Sequence, residues 1–233
     1  MKERARFAPS PTGPLHIGGV RTALFNYLIA KKNGGDFILR IEDTDSKRTV
    51  VGAEDHIKDS LKWLGLKFDE GPIKQSSRKS LYKKRVEELL KKGLAYYAFD
   101  SSTELEDARK ESNGEFKYNY ETRKNMINSF TVSEGEVKSR VDRGGYVIRM
   151  VIPEKESITV NDEIRGSLSF NSNEIEDKVI MKSDGMPTYH FANVVDDHDM
   201  KITSVVRGEE WLSSLPSHIT PVSYTHLTLP TKA

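Results

Sequence analysis

The 233-residue sequence contains no cysteine. Disulfide cross-links and every cysteine-based zinc site are therefore excluded. No apolar run approaches the roughly 20 residues that span a bilayer. The opening, MKERARFAPS, lacks the apolar centre of a signal peptide, which leads us to expect a cytoplasmic, non-membrane protein. A strong excess of one charge is also missing: 36 Lys and Arg stand against 35 Asp and Glu, for a net charge of +1. The broad basic surplus that marks many nucleic-acid binders is absent, so any such role must rest on local motifs. What remains is 36% hydrophobic and 30% charged residues, the composition of a globular chain of one large domain or two ordinary ones.

The pattern along the chain predicts a strand over Arg4 to Ala8. A helix follows over His16 to Lys32, with Val20, Ala23, Leu24, Tyr27 and Leu28 at helical spacing. NGG at 33–35 ends that helix. FILRI (37–41) reads as a strand buried on both faces, and EDTD follows at its carboxyl end. Helices are expected at 53–64 and 80–92. Strand, helix, strand, helix in short alternation points to an α/β fold with a doubly wound parallel sheet. After about residue 98 the chain turns polar and strongly charged, then alternates like strands in YVIRMVIP (146–153) and SLSF (167–170). We read 1–97 as the first half of a Rossmann-type domain, 98–181 as an inserted α+β domain, and 182–219 as the second half, with TSVVRGEEW (203–211) returning to the first sheet. PVSYTHLTLPTKA at the end has no acidic residue and does not continue what precedes it; 220–233 is expected to be a non-native tail resembling a translated sequencing adapter.

The chemistry concentrates in RFAPSPTGPLHIGG (6–19). A strand ends, three prolines bend the chain, and a helix begins beside His16. Ligands of doubly wound sheets bind beyond the carboxyl ends of the strands, and the free amides of a helix N-terminus favour phosphate. Gly18 and Gly19 would let a ligand approach the backbone. His16 could donate to phosphate oxygens as charge builds on them. By itself, His-x-Gly-Gly fits a proline-stiffened turn with a capping histidine equally well.

The stretch RFAPSPTGPLHIGGVRTALFNYLIAKKNGGDFILRIEDTD, together with KSDGMPTYHFANVVDDHDMKITSVVRGEEWLSS (182–214), resembles the catalytic domain of bacterial glutamyl-tRNA synthetases, which are class I aminoacyl-tRNA synthetases. HIGG stands where that family has its His-Ile-Gly-His signature. The resemblance implies that Arg6, Ser10, Glu42, Tyr189, Asn193 and Arg207 surround the glutamate substrate. It implies that Thr12, His16, Gly18, Gly19, Glu210 and Trp211 lie on the ATP side, with His16, Gly18 and Gly19 serving catalysis. Physical chemistry agrees for the amino acid: guanidinium groups suit its two carboxylates, and a carboxylate suits its ammonium group. Taken singly, each arginine could equally be a surface ion pair. DDHD (196–199) looks metal-like, but four adjacent residues cannot all point at one ion, and the family does not use them as ligands, so no metal is expected there. Asp43 and Asp45 are expected to bond backbone amides and Arg48 in their turn.

The resemblance further implies a two-step reaction: glutamate attacks the α-phosphate of ATP, with Mg²⁺ carried by ATP, and the acceptor end of tRNA(Glu) takes the glutamyl group from the adenylate. The insert would receive that acceptor end, without zinc, and the complete enzyme would be a monomer. No Lys-Met-Ser-Lys-Ser-like segment follows WLSSLPSH, and no anticodon-binding domain follows. The expectation is therefore an N-terminal part of such an enzyme, weak or silent in activation by itself. A glutamyl-queuosine tRNA(Asp) synthetase and an inactive nucleotide- or RNA-binding fragment are the competing readings.

Overall fold

The computed structural model describes residues 2–32 and 34–225, apart from the side chains of 209, 210, 213 and 221–225. The chain alternates as its pattern suggests: β1 (Arg4–Phe7), α1 (Ile17–Lys32), β2 (Asp36–Ile41), α2 (Ala53–Trp63) and β3 (Glu70–Lys74). The three strands form a parallel sheet in that order, with Ala5 opposite Phe37, Arg6 opposite Ile38 and Phe7 opposite Leu39. The 203–211 segment returns to this sheet through one parallel bridge, Ser204 beside Ala5.

Side chains of a strand alternate between faces, and this rule builds the site. Ala5 and Phe7 of β1, with Phe37, Leu39 and Ile41 of β2, pack under Ile57 and Leu61 of α2 and Ala23 and Ala30 of α1. Burying a side chain such as Phe37 contributes about 1.5–3 kcal/mol. The opposite face carries Arg6 from β1 and Ile38 and Arg40 from β2, with Glu42 just beyond the strand. FILRI is buried on both faces as expected, but one face is charged: Arg40 is fully buried.

α1 corrects one expectation. Leu24 and Leu28 point outward with Phe25, and the sheet-facing stripe is Ala23, Asn26 and Ala30. Small alanines let the helix lie close to the strands, and Tyr27 meets Phe37 edge-on at 5.5 Å. The helix ends at Gly34, whose φ of +62° only glycine adopts readily.

α3 (Lys79–Lys91) leads to β4 (Ala95–Ala98), then α4 (Ser102–Glu111), α5 (Glu134–Arg143) and β5 (Val147–Met150). The hairpin β6 (Ser157–Asp162) and β7 (Gly166–Asn171) precedes β8 (Val179–Met181). β4, β5 and β8 form a second, antiparallel sheet. It begins at Ala95, slightly before the shift in composition at 98. α4 opens on a capping box, with Ser101 and Glu104 satisfying each other's backbone N–H groups.

α6 (Tyr189–Asp199) and α7 (Leu215–Thr225) complete the described chain. α6 lies between the two sheets. Phe191, Ala192 and Val195 join the core of the second sheet, with Tyr82, Val86, Ile148 and Met150. Tyr189, Asn193 and Asp197, four residues apart, line up along one side of the helix, and the structure turns Asn193 and Asp197 onto the charged face of the first sheet. α7 runs through Thr225, and residues 226–233 of the expected non-native tail lie outside the described residues.

Candidate amino-acid site

The charged face is an ion network fixed by the backbone. Arg6 donates from Nε and Nη2 to the two oxygens of Asp197, at 2.9 and 3.1 Å. Arg40 Nη1 donates to the same carboxylate at 2.6 Å, and its Nη2 donates to Glu42 Oε1 at 3.0 Å. Asn193 Nδ2 donates to that Glu42 oxygen at 2.8 Å. Burial alone would raise the Asp197 carboxyl. The guanidinium groups of Arg6 and Arg40 overcome it and hold Asp197 well below the usual carboxylate range.

Arg207 is held differently. Its Nη2 donates to Asn193 Oδ1 and its Nη1 to His218 Nδ1 at 3.0 Å, and both partners are neutral groups. The guanidinium lies 5.9 Å from the ring centroids of Tyr189 and Trp211. Burial, and then the nearby charge of Arg6, pull its pKa down; an arginine nonetheless stays charged. Among the described residues no carboxylate pairs with it. Arg6, Arg40 and Arg207 face Asp197, Glu42 and, 4.0 Å from Arg40 Nε, Asp196, which also pairs with Arg78. The guanidinium left without a carboxylate partner among the described residues is Arg207.

Of the residues expected around glutamate, Glu42, Asn193 and Arg207 are joined directly, Arg6 is joined to Glu42 through Asp197 and Arg40, and the Tyr189 ring lies beside Arg207. Ser10 is exposed in the loop above. Trp211, expected on the ATP side, packs against Tyr189 at 5.1 Å between ring centroids. The side chain of Glu210 lies outside the described residues.

The proline-bent loop is anchored at the mouth of this network. Pro9 O accepts from Glu42 N–H at 3.0 Å and Pro11 O from Val50 N–H at 2.9 Å. Thr12 is exposed, with its N–H bonded to Ser10 O. His16 is exposed and its Nδ1 accepts from Gly18 N–H at 3.1 Å, which is the capping arrangement. That bond leaves Nε2 carrying the proton in the neutral ring and free to donate outward. The glycines have a local cause as well: a Cβ at Gly18 would stand 2.9 Å from the His16 ring, and one at Gly19 would meet the Leu15 side chain.

Sequence reasoning missed Arg40, Gln75, Tyr82, Arg78, His190 and His218. Asp196 accepts from Gln75 Nε2, Arg78 Nε and Tyr82 Oη, each at 2.8 Å, and Asp199 accepts from Arg78 Nη2. The DDHD run thus ties the α6 helix to β1, β2 and α3. Asp43 accepts from the Ser76 N–H and hydroxyl, and Asp45 from Lys47 N–H. Arg48 meets Asp45 through its backbone N–H.

Comparison with known proteins identifies the family. The family model for class I tRNA synthetases (E and Q), catalytic domain, matches residues 2–233. A glutamate–tRNA ligase of Azobacteroides pseudotrichonymphae is 58% identical over 226 residues, covering 96% of this chain and 46% of the relative. One from Parabacteroides distasonis is 55% identical, covering 98% of this chain and 49% of the relative. Among solved structures, a glutamate tRNA ligase from Elizabethkingia meningosepticum in complex with its amino acid superposes with a TM-score of 0.96 at 50% identity, over 100% of this chain and 49% of that one. The chain spans about half the length of the curated relatives it matches. It belongs to the class I glutamyl- and glutaminyl-tRNA synthetases and carries sequence of their catalytic domain.

Proposed function

We propose that this chain binds L-glutamate and ATP for the formation of glutamyl-adenylate, the first step of charging tRNA(Glu) in the cytoplasm. The single observation that carries this reading is the guanidinium of Arg207, which has no carboxylate partner among the described residues. L-Glutamate has two carboxylates and one ammonium group, so it brings one net negative charge; L-glutamine brings none. A guanidinium held only by neutral partners favours the former, because a charge without a counter-charge in a low-dielectric site is costly until an opposite charge arrives.

In this reading Arg207 pairs with a substrate carboxylate, and Glu42, through the oxygen not bonded to Arg40, takes the ammonium group. Arg6 acts mainly through Asp197, to which it is already committed, and sets the field rather than offering a free fork. Tyr189 and Trp211 flank the Arg207 guanidinium. Thr12, His16 Nε2 and the free amides at the start of α1 serve the phosphates of Mg²⁺-bound ATP. No protein nucleophile is needed, since the substrate carboxylate itself attacks the α-phosphate and positioning carries the rate.

The second sheet supports an acceptor-end role for 98–181. A cavity of about 310 Å³ is lined by Phe116, Tyr118, Arg109, Arg149, Lys178 and His190, and Arg149 lies 3.8 Å from the Tyr118 ring centroid. Aromatic rings beside cations suit the unpaired end of an RNA.

Titration calorimetry of the chain with each amino acid tests the proposal. L-Glutamate should bind saturably and at least tenfold more tightly than L-glutamine. Equal affinity for the two amino acids, or no binding of either, would overturn the reading.

A further inference from the structure

His190 and His218 have no place in the amino-acid chemistry above, yet their rings are joined to each other and to Arg207. His218, on α7, is 6% exposed. Its Nδ1 lies 3.0 Å from Arg207 Nη1, and its Nε2 lies 2.9 Å from His190 Nδ1. The imidazoles lie 5.1 Å apart between centroids, tilted by 43°, and the Tyr189 ring is 6.0 Å from that of His218. His190, the second residue of α6, also lines the cavity beside Arg149 and Lys178.

The proton positions in this chain follow from one fact: a guanidinium only donates. His218 Nδ1 must therefore accept, and in the neutral ring its proton sits on Nε2. That proton points at His190 Nδ1, which must in turn accept, leaving the His190 proton on Nε2. Any other assignment sets two donors or two lone pairs against each other. Doubly protonated rings break the chain at both junctions. Burial, and then the neighbouring charge of Arg207, keep His218 well below the ordinary histidine value, in keeping with a neutral ring. Burial, and then Lys178, lower His190.

We propose that His218 is a positioning residue for Arg207, and that His190 fixes the tautomer in which His218 can do so. Asn193 Oδ1 holds one terminal nitrogen of the guanidinium and His218 Nδ1 the other, so the plane of the fork is set by two elements, α6 and α7. Both holders are uncharged, which orients Arg207 without spending its charge. An aspartate in place of His218 would orient it equally well but would cancel the positive charge that a substrate carboxylate needs. The inference rests on the amino-acid-binding role proposed above, but its structural part can be read with no ligand present.

The experiment uses the full chain labelled with ¹⁵N and compares three forms: wild type, His218→Asn and His218→Leu. Asparagine places an amide oxygen where Nδ1 was; leucine fills the space with no acceptor. Imidazole ¹⁵N spectra at neutral pH should show wild-type His218 neutral with its proton on Nε2. Arg207 should show hindered rotation about its Nε–Cζ bond in wild type and in His218→Asn, and free rotation in His218→Leu. Glutamate affinity should fall at least tenfold in His218→Leu and return to within about threefold of wild type in His218→Asn.

A His218 proton on Nδ1, a doubly protonated ring at pH 7, or unchanged Arg207 rotation in His218→Leu would each overturn the proposal. So would wild-type glutamate affinity in His218→Leu. If wild type itself binds no glutamate, the functional reading fails, and the tautomer and rotation spectra alone still decide whether His218 holds Arg207.

Discussion

Two buried aspartates, one beneath each sheet, obey opposite balances. Asp197 meets the guanidinium groups of Arg6 and Arg40 and is held well below the usual carboxylate range. Asp177 accepts from Tyr96 Oη at 2.8 Å, Arg123 Nη1 at 2.9 Å and Ile152 N–H at 3.0 Å, yet burial outweighs these and pushes its pKa up. Each is as buried as the other. What separates them is the cation count around them. Asp177 knits β4, β5 and β8 together with a barely sufficient set of donors. Asp197 is shared by two guanidinium groups and feels a third, Arg207, which has no carboxylate partner among the described residues. Burial and hydrogen bonding alone therefore do not mark a binding site here; the guanidinium without a counter-charge does.

The largest way to break the comparison is Asp197→Ala. Removing the carboxylate leaves Arg6 and Arg40 buried without their main partner, and the loss of a buried charge partner costs about 3–5 kcal/mol. Urea unfolding should show that loss. Asp177→Asn is the matching test in the second sheet. An amide can keep the Ile152 bond, and the charge it removes is one that burial disfavours, so the expected loss is about 1–2 kcal/mol.

Acid sharpens the contrast between these sizes. His190 and His218 both bind protons more weakly folded than unfolded. Above about pH 7 neither state is protonated and the pair has no effect. Below the unfolded value near 6.5 the unfolded chain takes up protons first, so stability falls as pH falls, by up to about 1.4 kcal/mol per unit for each ring. His198 is lowered too and adds to the slope. In the double variant His190→Asn, His218→Asn the slope between pH 6.5 and 5 should shrink to what His198 and the carboxylates leave. Asp197, depressed in the fold, contributes stability at neutral pH that begins to be lost as the pH falls through the ordinary carboxylate range and goes on falling below it.

Much of this was legible in the sequence, for reasons that particular residues explain. The alternation of strand and helix patterns located β1, α1, β2, α2 and α3 because each buries a face of regular period. Arg6, Glu42, Asn193 and Arg207 were readable as one group because the resemblance to the glutamyl-tRNA synthetases implies it, and their types match the charges of a dicarboxylate amino acid. Arg40 was hidden inside FILRI, where the apolar neighbours on one face mask a charged residue on the other. Leu24 and Leu28 misled because helical spacing cannot say which of two apolar stripes meets the sheet; the smaller alanines do. The β6 strand was masked by its charged flanks, EKE before it and DE after it. Asp197 drew attention only as a doubtful metal ligand, since sequence gives no sign that two arginines converge on it. His218 lies in a stretch of small polar residues, and only the fold brings it to Arg207.

The account rests on the claim that Arg207 supplies the charge that receives a substrate carboxylate. Arg207→Met, which keeps the length and removes the charge, tests it most directly when glutamate affinity and urea stability are measured on the same preparation. The expected result is an affinity loss of at least a hundredfold, equivalent to about 2.8 kcal/mol, with stability unchanged or raised, since a half-buried cation without a carboxylate partner is removed. Wild-type affinity in this variant would contradict it, as would a loss of stability as large as that of Asp197→Ala.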